Sequence, residues 1–156
     1  MQNRYKERYM HMDKRMENAV RLFSEGAACS QSILAAFGPS VGLTEGTAFK
    51  IGAGLGAGFG RKQYLCGAIS AGAIILSLKY GSADPADTGA KERAYTVVRE
   101  FINAMEAELG ASSCRELLGV SILTLEERQE ASRQDLFETI CKDAVRRVAE
   151  YLTGAL

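Results

Sequence analysis

Apolar residues recur along this chain mostly at three- and four-residue intervals, the spacing of one helix face, and no stretch alternates long enough to suggest a strand. Met12, Met16, Ala19, Val20 and Phe23 predict a first helix over residues 5–24, ended by Gly26. Ile33, Leu34 and Phe37 mark a second over 28–37, stopped at Gly38-Pro39. Thr44 is placed to cap a third, which runs to about residues 49–54. The apolar and small residues from Cys66 to Tyr80 read as a buried helix, terminated by Gly81 and Asp84-Pro85. Val97, Val98, Phe101, Ile102 and Met105 give an amphipathic helix over 89–109, with Gly110 just beyond its end. Ser113 with Glu116 has the form of a capping box opening a short helix that stops near Gly119, and Thr124 with Glu127 repeats it for 125–132. A last helix over 135–153 would bury Leu136, Phe137, Ile140, Cys141, Ala144, Val145, Val148 and Leu152 on one stripe. The expected fold is an all-α bundle of about six to seven helices in one domain over residues 1–156. Residues 1–24 would form a peripheral N-terminal helix.

Glycine changes this picture in one place. There are sixteen glycines against two prolines, and they crowd the segment IGAGLGAGFG that starts at Ile51. Alternate glycines remove the barrier to positive φ and let backbone approach backbone. Gly52, Gly54 and Ala57 fit the dinucleotide pattern G-x-G-x-x-A, but no strand precedes them, so no nucleotide is expected. The better reading is a thin loop passing beside the start of the buried helix and offering N–H donors to sulfur. That helix carries Gly67, Ala68, Ser70, Ala71 and Gly72, small enough for a neighbouring helix or a cofactor to come close.

Composition narrows the function classes. Hydrophobic residues at 47% and charged residues at 24% describe a globular chain, and 156 residues bury roughly two-thirds of their unfolded surface. Nineteen basic residues balance nineteen acidic ones, which leaves no electrostatic footprint for nucleic acid. Arg4, Lys6, Arg8, Lys14 and Arg15 are diluted by Glu7 and Asp13 and read as a solvated helix face. No signal-peptide pattern opens the sequence, and the run Leu65 to Leu78 is too short to span a bilayer. A cytoplasmic, reducing location is therefore expected, with no membrane partner. Four cysteines there serve metal or redox chemistry more often than structural disulfides.

Those four are Cys29, Cys66, Cys114 and Cys141. The first three fall at predicted helix N-termini, where free N–H groups and the helix dipole favour a thiolate, so lowered pKa values are expected. Cys141 falls mid-helix on the apolar stripe. Their gaps are tens of residues wide and no CxxC occurs, so zinc-ribbon, bacterial ferredoxin and thioredoxin-like patterns are absent. No CxxCH exists to attach haem. His11, the single histidine, reads as a solvated residue, Tyr64 as a cover for the cysteine turn, and Glu45, Asp84 and Asp87 as caps or turn residues. Paired catalytic carboxylates are not recognisable.

ACSQS around Cys29, CGAISAG from Cys66, SCRELLG around Cys114 and the late Cys141 resemble the redox-active protein family named for the pattern C_GCAxxG_C_C. The resemblance covers about Phe23 to Ala149. It departs from the pattern at Ala71, where the family has glycine and Gly72 follows instead. The family is helical and includes relatives of the non-haem portion of split-Soret cytochromes. This kinship implies an iron–sulfur cluster, or with less support zinc, held by Cys29, Cys66, Cys114 and Cys141, with Cys66 and Cys114 the firmest ligands. Electron transfer or redox sensing with a partner protein would follow. Two alternatives stand beside it: a metal-free thiol–disulfide protein using Cys66 and Cys114, and a non-catalytic helical subunit suited to homodimerisation.

Overall fold

The computed structural model describes residues 13–156, and its regular elements are all helical. Helix α1 is Lys14–Ser24. It starts at Asp13, whose ψ of 125° is not helical and whose carboxylate accepts the Arg15 N–H at 2.8 Å. The expected helix over 5–24 is therefore not continuous through Asp13; residues 5–12, with His11 and Met12, lie outside the described part, as do Arg4, Lys6 and Arg8 among the basic residues. Helix α2 (Cys29–Phe37) runs into a 3-10 turn at Gly38–Val41. Helix α3 (Glu45–Gly52) is capped by Thr44 as its sequence predicts, the hydroxyl accepting the Thr47 N–H at 3.2 Å. A single turn, α4 (Gly56–Phe59), leads to the central helix α5 (Gly67–Tyr80). Helix α6 (Thr88–Leu109) is opened by the Asp87 carboxylate on the Ala90 N–H, at 2.9 Å, and closed by Gly110 at φ +86°. Then come α7 (Cys114–Leu118), α8 (Leu125–Arg133), a π-helical turn at Phe137–Cys141 and α9 (Lys142–Ala155). No helix of the described residues is long and apolar enough to cross a membrane.

Helix α5 lies at the centre because its first ten residues, Gly67 to Leu76, carry a single polar side chain, Ser70, while Ser77 and Lys79 reach solvent at its far end. Its Ala68, Ile69, Ala71, Ile75 and Leu76 are fully buried, packed with Ile33, Leu34 and Phe37 of α2, Phe101 and Met105 of α6, and Val145, Val148 and Leu152 of α9. Each large side chain removed from water this way contributes about 1.5–3 kcal/mol. Gly72 lets the Phe101 ring reach the α5 backbone, since a Cβ there would stand 2.5 Å from the ring.

A second, smaller cluster forms around Cys114, Leu118, Ile122 and Ala131. The final segment serves both clusters, which corrects the single stripe expected over 135–153. Asp135 takes a φ of +55°, and the π turn that follows is wider than an α turn. Leu136, Phe137, Ile140 and Cys141 consequently face the small cluster, while Ala144, Val145, Val148 and Leu152 stay on the main core.

Candidate functional site

The site is assembled by the loop between α4 and α5, and the backbone of that loop is unusual. Ala57, Gly58, Phe59, Gly60 and Arg61 all have φ between 54° and 68°, and Gln63 follows at 57°. This is a short left-handed turn, a conformation that costs a non-glycine residue about 1–2 kcal/mol. Two bonds close it, from the Phe59 N–H to the Leu55 carbonyl at 3.2 Å and from the Gly60 N–H to the Gly56 carbonyl at 3.1 Å. Two more, Gln63 N–H to Ala57 O at 3.2 Å and Tyr64 N–H to Gly58 O at 3.0 Å, fold the following residues back across it. Only glycine fits at 58, where a Cβ would lie 2.6 Å from the Tyr64 nitrogen.

Beyond the turn, Gln63 locks the loop to the α7 region. Its buried amide donates to the Val120 carbonyl at 2.8 Å and accepts the Ile122 N–H at 3.1 Å. A one-pair antiparallel bridge, Leu65 with Ser113, then aligns the two backbones. The Cys66 N–H donates to Ser112 O at 2.8 Å and the Cys114 N–H to Tyr64 O at 2.7 Å, so two cysteines distant in sequence are fixed on either side of one bridge. Tyr64 contributes only its backbone: its side chain is 60% exposed and does not line the site, contrary to the covering role expected of it.

Cys66 is the N-cap of α5, one position before the first helical turn expected for it. Its sulfur makes no cap hydrogen bond, but the Ile69 and Ala68 N–H groups at that helix end favour its thiolate form. Cys29 is the first residue of α2, where the Gln31 side chain accepts the Ala28 N–H at 3.0 Å. Its sulfur is met by the N–H groups of Ala57, Ser30 and Ala68. A Cβ on Gly67 would stand 2.5 Å from that sulfur and 3.0 Å from the Leu55 carbonyl, so the glycine after Cys66 is needed to admit Cys29. The expected sulfur-facing donors of the glycine loop are thus represented by Ala57. Cys114 opens α7 behind Ser113, whose hydroxyl accepts the Glu116 N–H at 3.1 Å. The capping box is half made, because the Glu116 carboxylate takes the Ser113 hydroxyl at 2.8 Å. Cys141 sits at the end of the π turn.

All four cysteines line one cavity of about 580 Å³, at the seam between the two hydrophobic clusters. Phe23, Leu117, Phe137 and Ile140 supply much of its apolar wall, and Arg61 and Glu138 its charged groups. All four are free thiols. The lowered pKa values expected from helix N-termini are not found. Burial pushes the Cys66 thiol up to about 12, reinforced by a charge on Cys29, and Cys114 up to about 11 by the same two causes. Cys29 is raised by burial against the pull of its N–H neighbours, and Cys141 by burial and then by the other three sulfurs. Desolvation outweighs the helix-end field at each position. Among the described residues, no group of three or more His, Cys, Asp or Glu is arranged to hold one metal ion.

Two lining or locking residues had no signal in the sequence. Gln63 and Arg61 look like ordinary polar loop residues until the left-handed turn buries one and directs the other to the cavity.

The fold and the site together define an all-α protein with four thiols around one cavity. The family described as "Putative redox-active protein (C_GCAxxG_C_C)" matches residues 27–154, and the chain belongs to it. Comparison with curated proteins and with solved structures gave no match.

Proposed function

We propose that Cys29, Cys66, Cys114 and Cys141 hold an iron–sulfur cluster and that the protein transfers or senses electrons through it. The observation that carries this reading is the meeting of four free thiols, remote in sequence, on the wall of one cavity. Membership of a redox-active family agrees with it. Thiols with raised pKa values at neutral pH give up their protons only when a cation compensates the resulting charge, and metal binding does this. The N–H groups near Cys29 and Cys66 would orient those ligands and help set a potential.

Two rival readings are less well supported. A tetrahedral zinc site needs thiolates about 3.8 Å apart for Zn–S bonds of about 2.3 Å, and among the described residues no group of three or more His, Cys, Asp or Glu stands that close around one point; a cluster, which spreads its thiolate ligands over more than one iron, asks less of each sulfur pair. Attack on a disulfide needs a thiolate near neutral pH, whereas Cys66 and Cys114 are pushed the other way. An electron-carrying partner protein and a compartment that keeps thiols reduced belong to the same proposal.

Anaerobic purification, a visible spectrum, and assays for iron, acid-labile sulfide and zinc test it. Iron and sulfide in matching amounts, lost in Cys114→Ser, are expected. A colourless, metal-free chain after anaerobic reconstitution would refute the cluster, and reversible loss of thiols on mild oxidation would then favour disulfide chemistry.

A further inference from the structure

The cavity is lined by many residues besides the four cysteines, and its volume of about 580 Å³ falls in the roughly 300–1,000 Å³ range of small-molecule sites. Phe23, Leu117, Phe137 and Ile140 give it an apolar wall, with Arg61 as the lining cation. We infer that this cavity binds a small organic carboxylate, its apolar body against those four side chains and its carboxylate on the Arg61 guanidinium, in the space the cysteines also line.

Three observations carry the inference. Among the described residues Arg61 makes no ion pair: those present use Arg15, Arg21, Arg133, Lys142, Arg146 and Arg147. Glu138, the acidic residue on the same wall, is engaged by Lys142 at 3.1 Å and leaves the guanidinium available. Arg61 is also held at φ +68°, where an arginine is strained and a glycine is at ease. That strain is shared with Ala57 and Phe59 and belongs to the turn as a whole; it fixes where the Arg61 side chain leaves the backbone, at the edge of the cavity. Guanidinium matches a carboxylate with two parallel hydrogen bonds, and an apolar wall favours an organic body over a bare inorganic ion.

The inference rests on the cysteine-lined cavity but not on what the cysteines hold, and the two are separable by experiment. Calorimetric titration of the full chain, both metal-free and after iron–sulfur reconstitution, would use benzoate and butyrate as probes, with benzyl alcohol and inorganic phosphate as controls. Benzoate is expected to bind at least tenfold more tightly than either control. Arg61→Gly should weaken it tenfold or more, while the denaturation midpoint stays level or rises because glycine accepts this φ. Arg61→Lys should retain part of the affinity. Carboxylate binding to the metal-free chain, with no cluster ever assembled, would uphold this site and refute the cluster. The inference is overturned if neither carboxylate binds in either form, or if binding is unchanged in Arg61→Gly. It is equally overturned if binding occurs only in the metal-loaded chain and is indifferent to Arg61, which would make the carboxylate a metal ligand.

Discussion

At the scale of single residues, the site depends on atoms that are missing as much as on those present. The Cys29 sulfur occupies the space a Cβ on Gly67 would need, at 2.5 Å. Gly67→Ala must therefore displace Cys29 or bend the start of α5, and overpacking of this kind costs about 1–3 kcal/mol. We expect it to lower the urea midpoint and, if the cysteines hold the proposed cluster, to reduce the iron taken up on reconstitution more than the stability loss alone explains. The thiols make a second prediction. Their folded pKa values lie above the ordinary value of 9.0, reaching about 11 for Cys114 and about 12 for Cys66. Above pH 9 the unfolded chain gives up protons that the folded chain retains, so stability falls as pH rises. The loss runs through the window from about 9 to about 12, with a slope of at most about 1.4 kcal/mol per pH unit for each thiol. Denaturation of the metal-free chain across this range, against a Cys66→Ala control with a shallower slope, checks the sign. A midpoint that rose with pH would contradict it.

At the scale of elements, the left-handed turn at residues 57–61 and the π turn at Phe137–Cys141 both lie where the thiols are presented. Gly58 and Gly60 have nearly the same φ, 63° and 59°, but different surroundings. A Cβ at Gly60 meets nothing within 4 Å, whereas at Gly58 it meets the Tyr64 backbone at 2.6 Å. Gly60→Ala should then cost about 1 kcal/mol of backbone strain, and Gly58→Ala roughly 3 or more, because a rigid backbone contact is added to the same strain. Equilibrium unfolding of the two variants separates strain from collision; equal losses would mean the loop relaxes freely. The π turn works by phase. By widening one turn it directs Cys141 to the small cluster while α9 keeps its apolar stripe on α5.

At the scale of the whole molecule, the cavity lies where a large core around α5 meets a small one around Leu118, Ile122 and Ala131. The small cluster buries little apolar surface of its own, and Gln63, the Leu65–Ser113 bridge and Cys114 tie it to the rest. A metal group bridging Cys114 and Cys141 to Cys29 and Cys66 would fasten the two clusters together. Removing it with a chelator should raise amide exchange in α7 and α8 by tenfold or more, with α5 and α6 nearly unchanged. Hydrogen exchange before and after metal removal tests this, and a uniform change over all helices would speak against a local fastening. In the main core, truncating the fully buried Phe101 to alanine should cost about 3–5 kcal/mol, seen as a lower denaturation midpoint with the cysteine site left in place.

The sequence alone was sufficient for most of the helices, because periodicity, caps and stops are local, but not for the break at Asp13, the turn at Gly56–Phe59 or the π turn at Phe137–Cys141. Thr44, Asp87, Gly110 and Thr124 act where the pattern puts them, and the short motifs around Cys29, Cys66 and Cys114, with the late Cys141, are enough to point to one family. It was insufficient for the backbone hand of residues 57–61, where Ala57, Phe59 and Arg61 adopt a conformation their own preferences oppose. It was misleading about the thiols, since a helix N-terminus lowers a pKa only when burial does not outweigh it, and burial is a property of packing. Tertiary structure decided that Gly67 exists for Cys29, that Gln63 is a lock and that Arg61 faces a cavity. Each of these is a contact between segments far apart in the chain, and no local pattern encodes it.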